Sequence, residues 1–405
     1  MRILHTSDWH LGQHFMGKTR QAEHQAFLGW LVDQVKEHQV DAVLVAGDIF
    51  DTGTPPSYAR EMYSEFVVAM RRSGAELIVL GGNHDSVAML GENKSLLAEL
   101  NARVIPGVAE TLGDQLLVVK QRDGTPGAIL CAIPFIRPRD VTTSLTDASA
   151  KDRQVNLQKA IQSHYAALYQ LAVDKRMELG AELPIVATGH LTTVGASASE
   201  SVREIYVGSL EAFPTSAFPP ADYIALGHIH RPQKVGGHEH IRYSGSPIPL
   251  SFDETGQQKN VLLVDLDAGG LQQVEALDVP LFQPLLSLRG SLKELEALIA
   301  DAAQQGSGQT PVWLEIMVTS DDYLSDLQSR LLLLTDGLPV EVLRTRRQRG
   351  DVEPTLPTQR ETLEELSPTD VFSKRLEAET LDPQLQEQLG GLYQQVIAQL
   401  AEEPV

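Results

Sequence analysis

The sequence predicts an α/β protein of layered sheets and helices, followed by a smaller mixed unit. Three observations carry this. Short apolar, β-branched runs alternate with longer amphipathic stretches up to about residue 270. Five of those runs stop on glycine or a small polar residue and then on Asp, Asn or His. Near residue 280 the alternation restarts.

Taken in order, RILHTSDWH ends in Asp8 and His10, VDAVLVAGDIFD in Asp48 and Asp51, and AELIVLGGNHD in Asn83, His84 and Asp85. LPIVATGH ends in His190 and DYIALGHIH in His228 and His230. All five put their polar residues at the C-terminal end of a strand, the edge where open α/β sheets build sites. Between them, residues 20–38, 57–73 and about 152–179 have one polar and one apolar face and read as scaffold helices. Cys131, the one cysteine, stands in AILCAIPF at a buried strand position. It is expected to be inert core, and it excludes an internal disulfide or a thiolate metal site. After NVLLVDLD, the runs PLLSL, PVWLEIMV and PVEVLRTRRQ read as strands, with SLKELEALIADAA and YLSDLQSRLLLL as helices between them. That is a βαβαβ unit. A proline-bearing stretch, GDVEPTLPTQ, reads as a linker, and Ser367 with Pro368 and Asp382 with Pro383 are helix starts. The second of these helices lines up Leu385, Leu389, Leu392, Val396 and Leu400, a stripe that must bury itself in core or on a partner. The expected division is therefore residues 1–275, 280–348, a linker over 349–366 and a helical docking element over 367–402.

The net charge of −21 argues against a chain that wraps nucleic acid through its own bulk field, because duplex affinity comes largely from Lys and Arg. Ions, a local basic patch or a partner must supply positive charge if the substrate is nucleic acid. MRILHTSDWH lacks a signal-peptide pattern, and no apolar run approaches the roughly 18 residues of a membrane span. A cytoplasmic protein acting without a membrane is expected. The phosphate-binding pattern G-x-x-x-x-G-K-[ST] is absent, so any ATP dependence must come from another chain.

Each strand-end motif alone has a plain structural reading as a turn or helix N-cap. Together, Asp, Asn and imidazole donors without sulfur suit hard or borderline divalent ions, and seven of them would fill two sites. The adjoining glycines let the backbone turn tightly beside such ions. Spacing does not choose between His228/His230 and a second His-x-His pair, His238/His240 in GGHEH, which reads as an exposed turn entering the next strand.

The ordered series D-x-H, G-D-x-x-D, G-N-H-D, G-H and G-H-x-H over residues 8–230 resembles the calcineurin-type metallophosphoesterases. Within that superfamily SDWHLG, AGDIFDTG, GGNHDS and YSGSPIP resemble the SbcD-type nuclease subunits of break repair. The resemblance implies an α-β-β-α sandwich with a DNA-contacting βαβαβ cap. It implies that Asp8, His10, Asp48 and His230 hold one metal and that Asp48, Asn83, His190 and His228 hold the other, with Asp48 bridging. Mn²⁺ is the expected ion at both. His228 and His230 would then serve one ion each, and His238 and His240 fall to the surface. His84 takes a catalytic role, and Asp51 is placed near the site with an orienting role. Asp85 is open between that role and a turn or N-cap, and His14 reads better as a loop residue than as a substrate contact. The implied activity is exonuclease and hairpin endonuclease cleavage of double-stranded DNA ends in repair and recombination. The implied partner is an SbcC-type coiled-coil ATPase, in a heterotetramer with two copies of each subunit. Arg344, Arg346, Arg347 and Arg349 form the densest basic cluster and read equally as DNA contacts or as a solvated strand end.

Two other readings compete. Another dinuclear metallophosphoesterase, acting on small phosphodiesters or phosphoproteins, would share every ligand; against a phosphatase, Thr52 rather than arginine follows Asp51, and the large cap favours a polymer. A scaffold that has lost catalysis is disfavoured by the intact ligand set.

Overall fold

The computed structural model describes residues 1–141, 150–202, 205, 212–319, 327–347, 389 and 392–393. The chain divides into two units, one of Met1–Ser320 with Leu324–Arg347 and one of Asp321–Tyr323 with Gln348–Val405. In the second, only Leu389, Leu392 and Tyr393 are described, and all three are helical. The linker, the helix starts at Ser367 and Asp382, and most of the expected leucine stripe lie outside the described residues.

The first unit runs through β1 (Arg2–Thr6), the small hairpin β2 (His14–Phe15) and β3 (Lys18–Thr19), α1 (Gln21–Glu37), β4 (Ala42–Val45), α2 (Ser57–Ser73) and β5 (Glu76–Leu80). It continues with α3 (Val87–Gly91), α4 (Lys94–Glu99), β6 (Ala102–Ile105), β7 (Leu116–Lys120), β8 (Pro126–Cys131), α5 (Pro138–Val141), α6 (Ala150–Leu179) and β9 (Ile185–His190). Then follow β10 (Tyr223–Gly227), β11 (Gln233–Val235), β12 (His238–Tyr243), β13 (Asn260–Asp267) and β14 (Gly270–Asp278). Two six-stranded sheets result, ordered β14-β13-β1-β4-β5-β6 and β11-β12-β10-β9-β8-β7. The strands β1, β4, β5 and β6 are parallel, as are β8, β9 and β10.

Successive residues of a strand face opposite sides, and the core shows it. On one side of the first sheet Leu4, Val43, Val45, Leu77 and Val79 pack with Phe27, Leu31, Phe66 and Val67 of α1 and α2. On the other, Ile3, Leu44, Ile78 and Leu80 meet Leu130, Val186 and Ala225 of the second sheet. The far side of that sheet, through Ile129, Ile185, Ile224 and Leu226, packs on Leu157, Ile161 and Leu168 of α6. The layers thus run helix, sheet, sheet, helix. Each such Val, Leu, Ile or Phe side chain contributes about 1.5–3 kcal/mol by burial, and a one-residue slip would exchange the two faces of a strand. Cys131 is buried in β8, and burial pushes its thiol up to about 12. No described helix is long and apolar enough to cross a membrane.

Beyond β14, a parallel sheet β15-β16-β17 forms from β15 (Leu285–Gly290), β16 (Val312–Val318) and β17 (Val340–Arg347), with α7 (Leu292–Ala303) and α8 (Leu327–Thr335) between the strands. A reciprocal capping box between Ser291 and Glu294 starts α7. Leu295, Ile299, Leu314, Ile316 and Leu331 make its own core. The seat against the larger sheets is aromatic. Phe15 stacks on Trp313 with ring centroids 6.0 Å apart, and the buried Arg20 guanidinium lies 5.2 Å and 5.9 Å from those two rings while bonding Glu23. Lys18 and Glu341 form an ion pair at the edge of this seat.

Candidate metal centre

The five strand ends read from the sequence as one sheet edge belong to two sheets. Those of β1, β4 and β5 lie on the first and those of β9 and β10 on the second, so the site forms across the seam between them. Main-chain bonds knit the first loops together, from the N–H of Asp8 to Gly47 and from that of His10 to Asp48. Across the seam, the N–H of His228 donates to Asp8 Oδ1 at 2.9 Å.

The backbone is strained where the donors stand. Asp8, His10, Asp48 and His228 have φ of 55°, 48°, 53° and 94°, a left-handed region that costs on the order of 1–3 kcal/mol at non-glycine residues and clusters at functional sites. Glycine serves closeness here as much as turning. A Cβ on Gly82 would lie 2.1 Å from Asp48 Oδ1 and 2.3 Å from the Asp48 nitrogen.

The predicted donors come together. Asp48 Oδ2 lies 3.2 Å from His190 Nε2 and 3.7 Å from His10 Nε2. Asn83 Oδ1 sits 2.9 Å from His190 Nε2 and 3.1 Å from His228 Nδ1. Ligand atoms of Asp8, His10 and His230 fall within 4.8 Å of one another, as do those of Asp48, His190 and His228 and those of His10, Asp48 and His84. His10 Nε2 and His228 Nε2 are buried without a hydrogen-bond partner. Orphaned nitrogens of that kind are costly unless they meet a cation, so the residues fit divalent ions. The electrostatics agree. Burial opposes charge on both members, yet Asp48 pushes the His190 imidazole up to about 9, and His190 with His10 holds the Asp48 carboxyl well below the usual range. The pair holds a proton where a cation would compete for the same lone pairs. Burial, helped by His190, pushes the His228 imidazole well down and keeps it neutral.

Around the donors, Asp51 Oδ1 lies 3.2 Å from His10 Nδ1, and the Ala46 carbonyl lies 2.9 Å from His190 Nδ1. Each acceptor fixes an imidazole so that Nε2 faces the site. Asp85 has a different task. Its carboxylate accepts from the N–H groups of Ile49, Phe50 and Gly82, locking the loops after β4 and β5. Burial and nearby Asp48 push it up to about 6 against those three bonds. His84 is half-buried at the rim, its Nδ1 2.7 Å from the Asp51 carbonyl and its ring 4.7 Å from that of His10. His14 is exposed on β2. His238 and His240 open strand β12 rather than a turn, with rings 5.5 Å apart, and join no metal-binding group among the described residues.

The basic cluster is partly neutralised. Arg344 Nε pairs with Glu315 at 2.5 Å, and its guanidinium lies 5.4 Å from the Phe252 ring. Arg346 reaches Glu315 at 3.4 Å and Glu200 at 3.9 Å. Arg347 is exposed, and Arg349 lies outside the described residues. Sequence reasoning missed Glu315 as the partner, and it missed Glu254 and Lys259, two buried charges beneath His230. The YSGSPIP stretch beside them was the one available signal.

Residues 1–232 match the family model described as calcineurin-like phosphoesterase, and residues 281–380 match the one described as the type 5 capsule protein repressor C-terminal domain. The chain is 52% identical to the SbcD component of the nuclease SbcCD of Escherichia coli K12 over 408 residues, covering 100% of this chain and 99% of that protein. It is 36% identical to the Rhodobacter capsulatus protein of the same name, over 71% of each chain. With the Bacillus subtilis protein of that name it shares 29% identity, over 80% of this chain and 81% of the other.

Proposed function

The chain belongs to the calcineurin-like phosphoesterase family, among the SbcD-type nuclease subunits, and from that premise we propose that it hydrolyses DNA phosphodiesters with two divalent ions bridged by Asp48. The observation that carries this is that the Asp48 carboxylate lies near imidazoles of both donor groups, as a bridge must. Asp8, His10, Asp48 and His230 would hold one ion, and Asp48, Asn83, His190 and His228 the other. The donor set without sulfur suits Mn²⁺. When bound, the ions supply a lowered water pKa and positive charge opposite the phosphoryl oxygens.

The chain's own residues set the balance. Asp8 and Asp48 cancel two of four positive charges, and the neutral donors Asn83, His190, His228, His10 and His230 preserve the remainder for a phosphodiester and the attacking hydroxide. His84, whose Nδ1–H donates to the Asp51 carbonyl, would as an imidazolium give its Nε2 proton to the leaving oxygen and return to the neutral ring. Asp51 orients His10.

Double-stranded DNA ends and hairpins are the proposed substrates, and an SbcC-type coiled-coil ATPase is the proposed partner, two copies of each in a cytoplasmic assembly. The names of the relatives support a partner subunit. Residues 1–275 would carry catalysis and 280–348 would cap the substrate. Arg344, Arg346, Arg347 and Arg349 are the proposed DNA contacts, and Glu315 pairs with both Arg344 and Arg346. After a linker over 349–366, the leucines within 367–402 would dock the partner.

The test is cleavage of end-labelled duplex, hairpin DNA and a small aryl phosphate by the purified chain in Mn²⁺, with and without the partner. DNA cleavage that needs metal, and that ATP stimulates only when the partner is present, is expected. Turnover of the aryl phosphate with DNA left intact would overturn the reading.

A further inference from the structure

Beneath His230 lies a closed ring of polar groups, buried at Ser246, Glu254 and Lys259 and half-buried at Ser199 and Ser201, with no part in the phosphodiester chemistry proposed for the metal donors. Glu254 and Lys259 are both buried and bond at 2.6 Å. Lys259 directs its three protons to Glu254, to the Ser246 hydroxyl at 3.1 Å and to the main-chain carbonyl of His230 at 2.9 Å. Glu254 accepts in turn from the N–H of Leu250 at 3.0 Å, from the Ser199 hydroxyl at 2.8 Å and from the Ser201 hydroxyl at 2.5 Å. Ser201 Oγ also lies 2.6 Å from Nδ1 of His230. The ring therefore starts at the imidazole of His230 and ends at its carbonyl.

Proton counting gives this ring a direction. Paired with Lys259, Glu254 is a carboxylate that can only accept, so the single Ser201 hydroxyl proton goes to it. Ser201 Oγ is left to accept, and the hydrogen at its other side must sit on Nδ1 of His230. Nε2 then keeps its lone pair. His10 and His190 are fixed by one acceptor each, Asp51 and Ala46, whereas His230 is fixed by Ser201 and, behind it, by Glu254 and Lys259 from a second segment of the chain. A buried ion pair adds little stability over apolar residues of the same volume, so core stability alone does not account for this one.

We propose that Ser201, backed by the Glu254–Lys259 pair, is the positioning residue that sets the tautomer and ring orientation of His230, and hence the affinity of the ion shared with Asp8 and His10. This rests on the reading of His230 as a metal ligand.

Calorimetric titration of the full-length chain with Mn²⁺ tests it. The wild type should bind two ions. Ser201→Ala should bind one as before and the other about 10–100-fold more weakly, the scale for removing a partner of a ligating histidine. Ser201→Thr, which keeps the hydroxyl, should restore the weakened site. A wild-type chain that binds fewer than two ions would overturn the two-ion reading and this inference with it. Two ions of wild-type affinity in Ser201→Ala, or no restoration in Ser201→Thr, would overturn the inference alone.

Discussion

Nδ1 of His84 lies 2.7 Å from the main-chain carbonyl of Asp51. That main-chain bond anchors the imidazole at the rim, although its ligand atom also lies within 4.8 Å of those of His10 and Asp48. His84→Gln should therefore keep its bound Mn²⁺ and its DNA affinity while cleavage slows by roughly 10²-fold or more, the usual scale for a general acid. Elemental analysis decides between the two roles, since loss of metal from the variant would make His84 a ligand.

Gly82 has no room for a side chain. Its Cβ would lie 2.1 Å from Asp48 Oδ1 and 2.3 Å from the Asp48 backbone nitrogen, so Asp48 itself must move. Gly82→Ala should cost about 1–3 kcal/mol of stability, as overpacking does, and weaken Mn²⁺ binding. Gly29, in the middle of α1 with open space around it, is the control. Gly29→Ala should raise stability by about 0.4–1 kcal/mol and leave metal binding alone. Urea unfolding and metal titration of both variants check the contrast.

The two histidine pairs separate in the same way. His228 and His230 are buried in the centre, whereas His238 and His240 begin β12 away from any metal-binding group of described residues. Replacing His238 and His240 together by Ala should leave duplex cleavage near wild type, and replacing His228 or His230 alone should remove it. Equal damage from both pairs in a cleavage assay would contradict the assignment.

Stability should also fall in mild acid. Burial pushes the imidazoles of His5, on β1, and His24, on α1, down to about 3. Unfolded histidine titrates near 6.5, so below that pH the unfolded chain binds protons that the folded chain does not. Stability is then fully present above about pH 6.5 and is lost toward pH 3, at about 1.4 kcal/mol per pH unit for each residue. Urea midpoints measured from pH 7 to pH 5 should fall less steeply in a His5→Gln, His24→Gln double variant than in the wild type.

Much of the site was legible because it depends on local order. Helices α1 and α2 follow from apolar residues at helical spacing, and the donors follow from parallel strands that all end on one side. What period cannot report is which distant segments meet. Asp51 and Asp85 both follow a strand that ends in a candidate donor, and the three N–H groups that make Asp85 a loop staple belong to residues 49, 50 and 82. Glu315 sits in the apolar run of β16, and its partner Arg344 comes from β17, 29 positions on. The division of five strand ends between two sheets is likewise a matter of pairing, on which the alternation of each strand is silent.

Asp48 lies close to imidazoles of both donor groups, and it adopts φ 53°, a conformation that Asn tolerates better than Ala. Asp48→Asn therefore removes the charge and the carboxylate proposed to bridge, with little backbone cost. The decisive measurement is the number of Mn²⁺ ions bound by that variant, taken alongside its cleavage of end-labelled duplex at saturating metal. Two ions in the wild type, no more than one in Asp48→Asn, and loss of cleavage are predicted; two tightly bound ions with normal cleavage in the variant would contradict the bridged two-ion account.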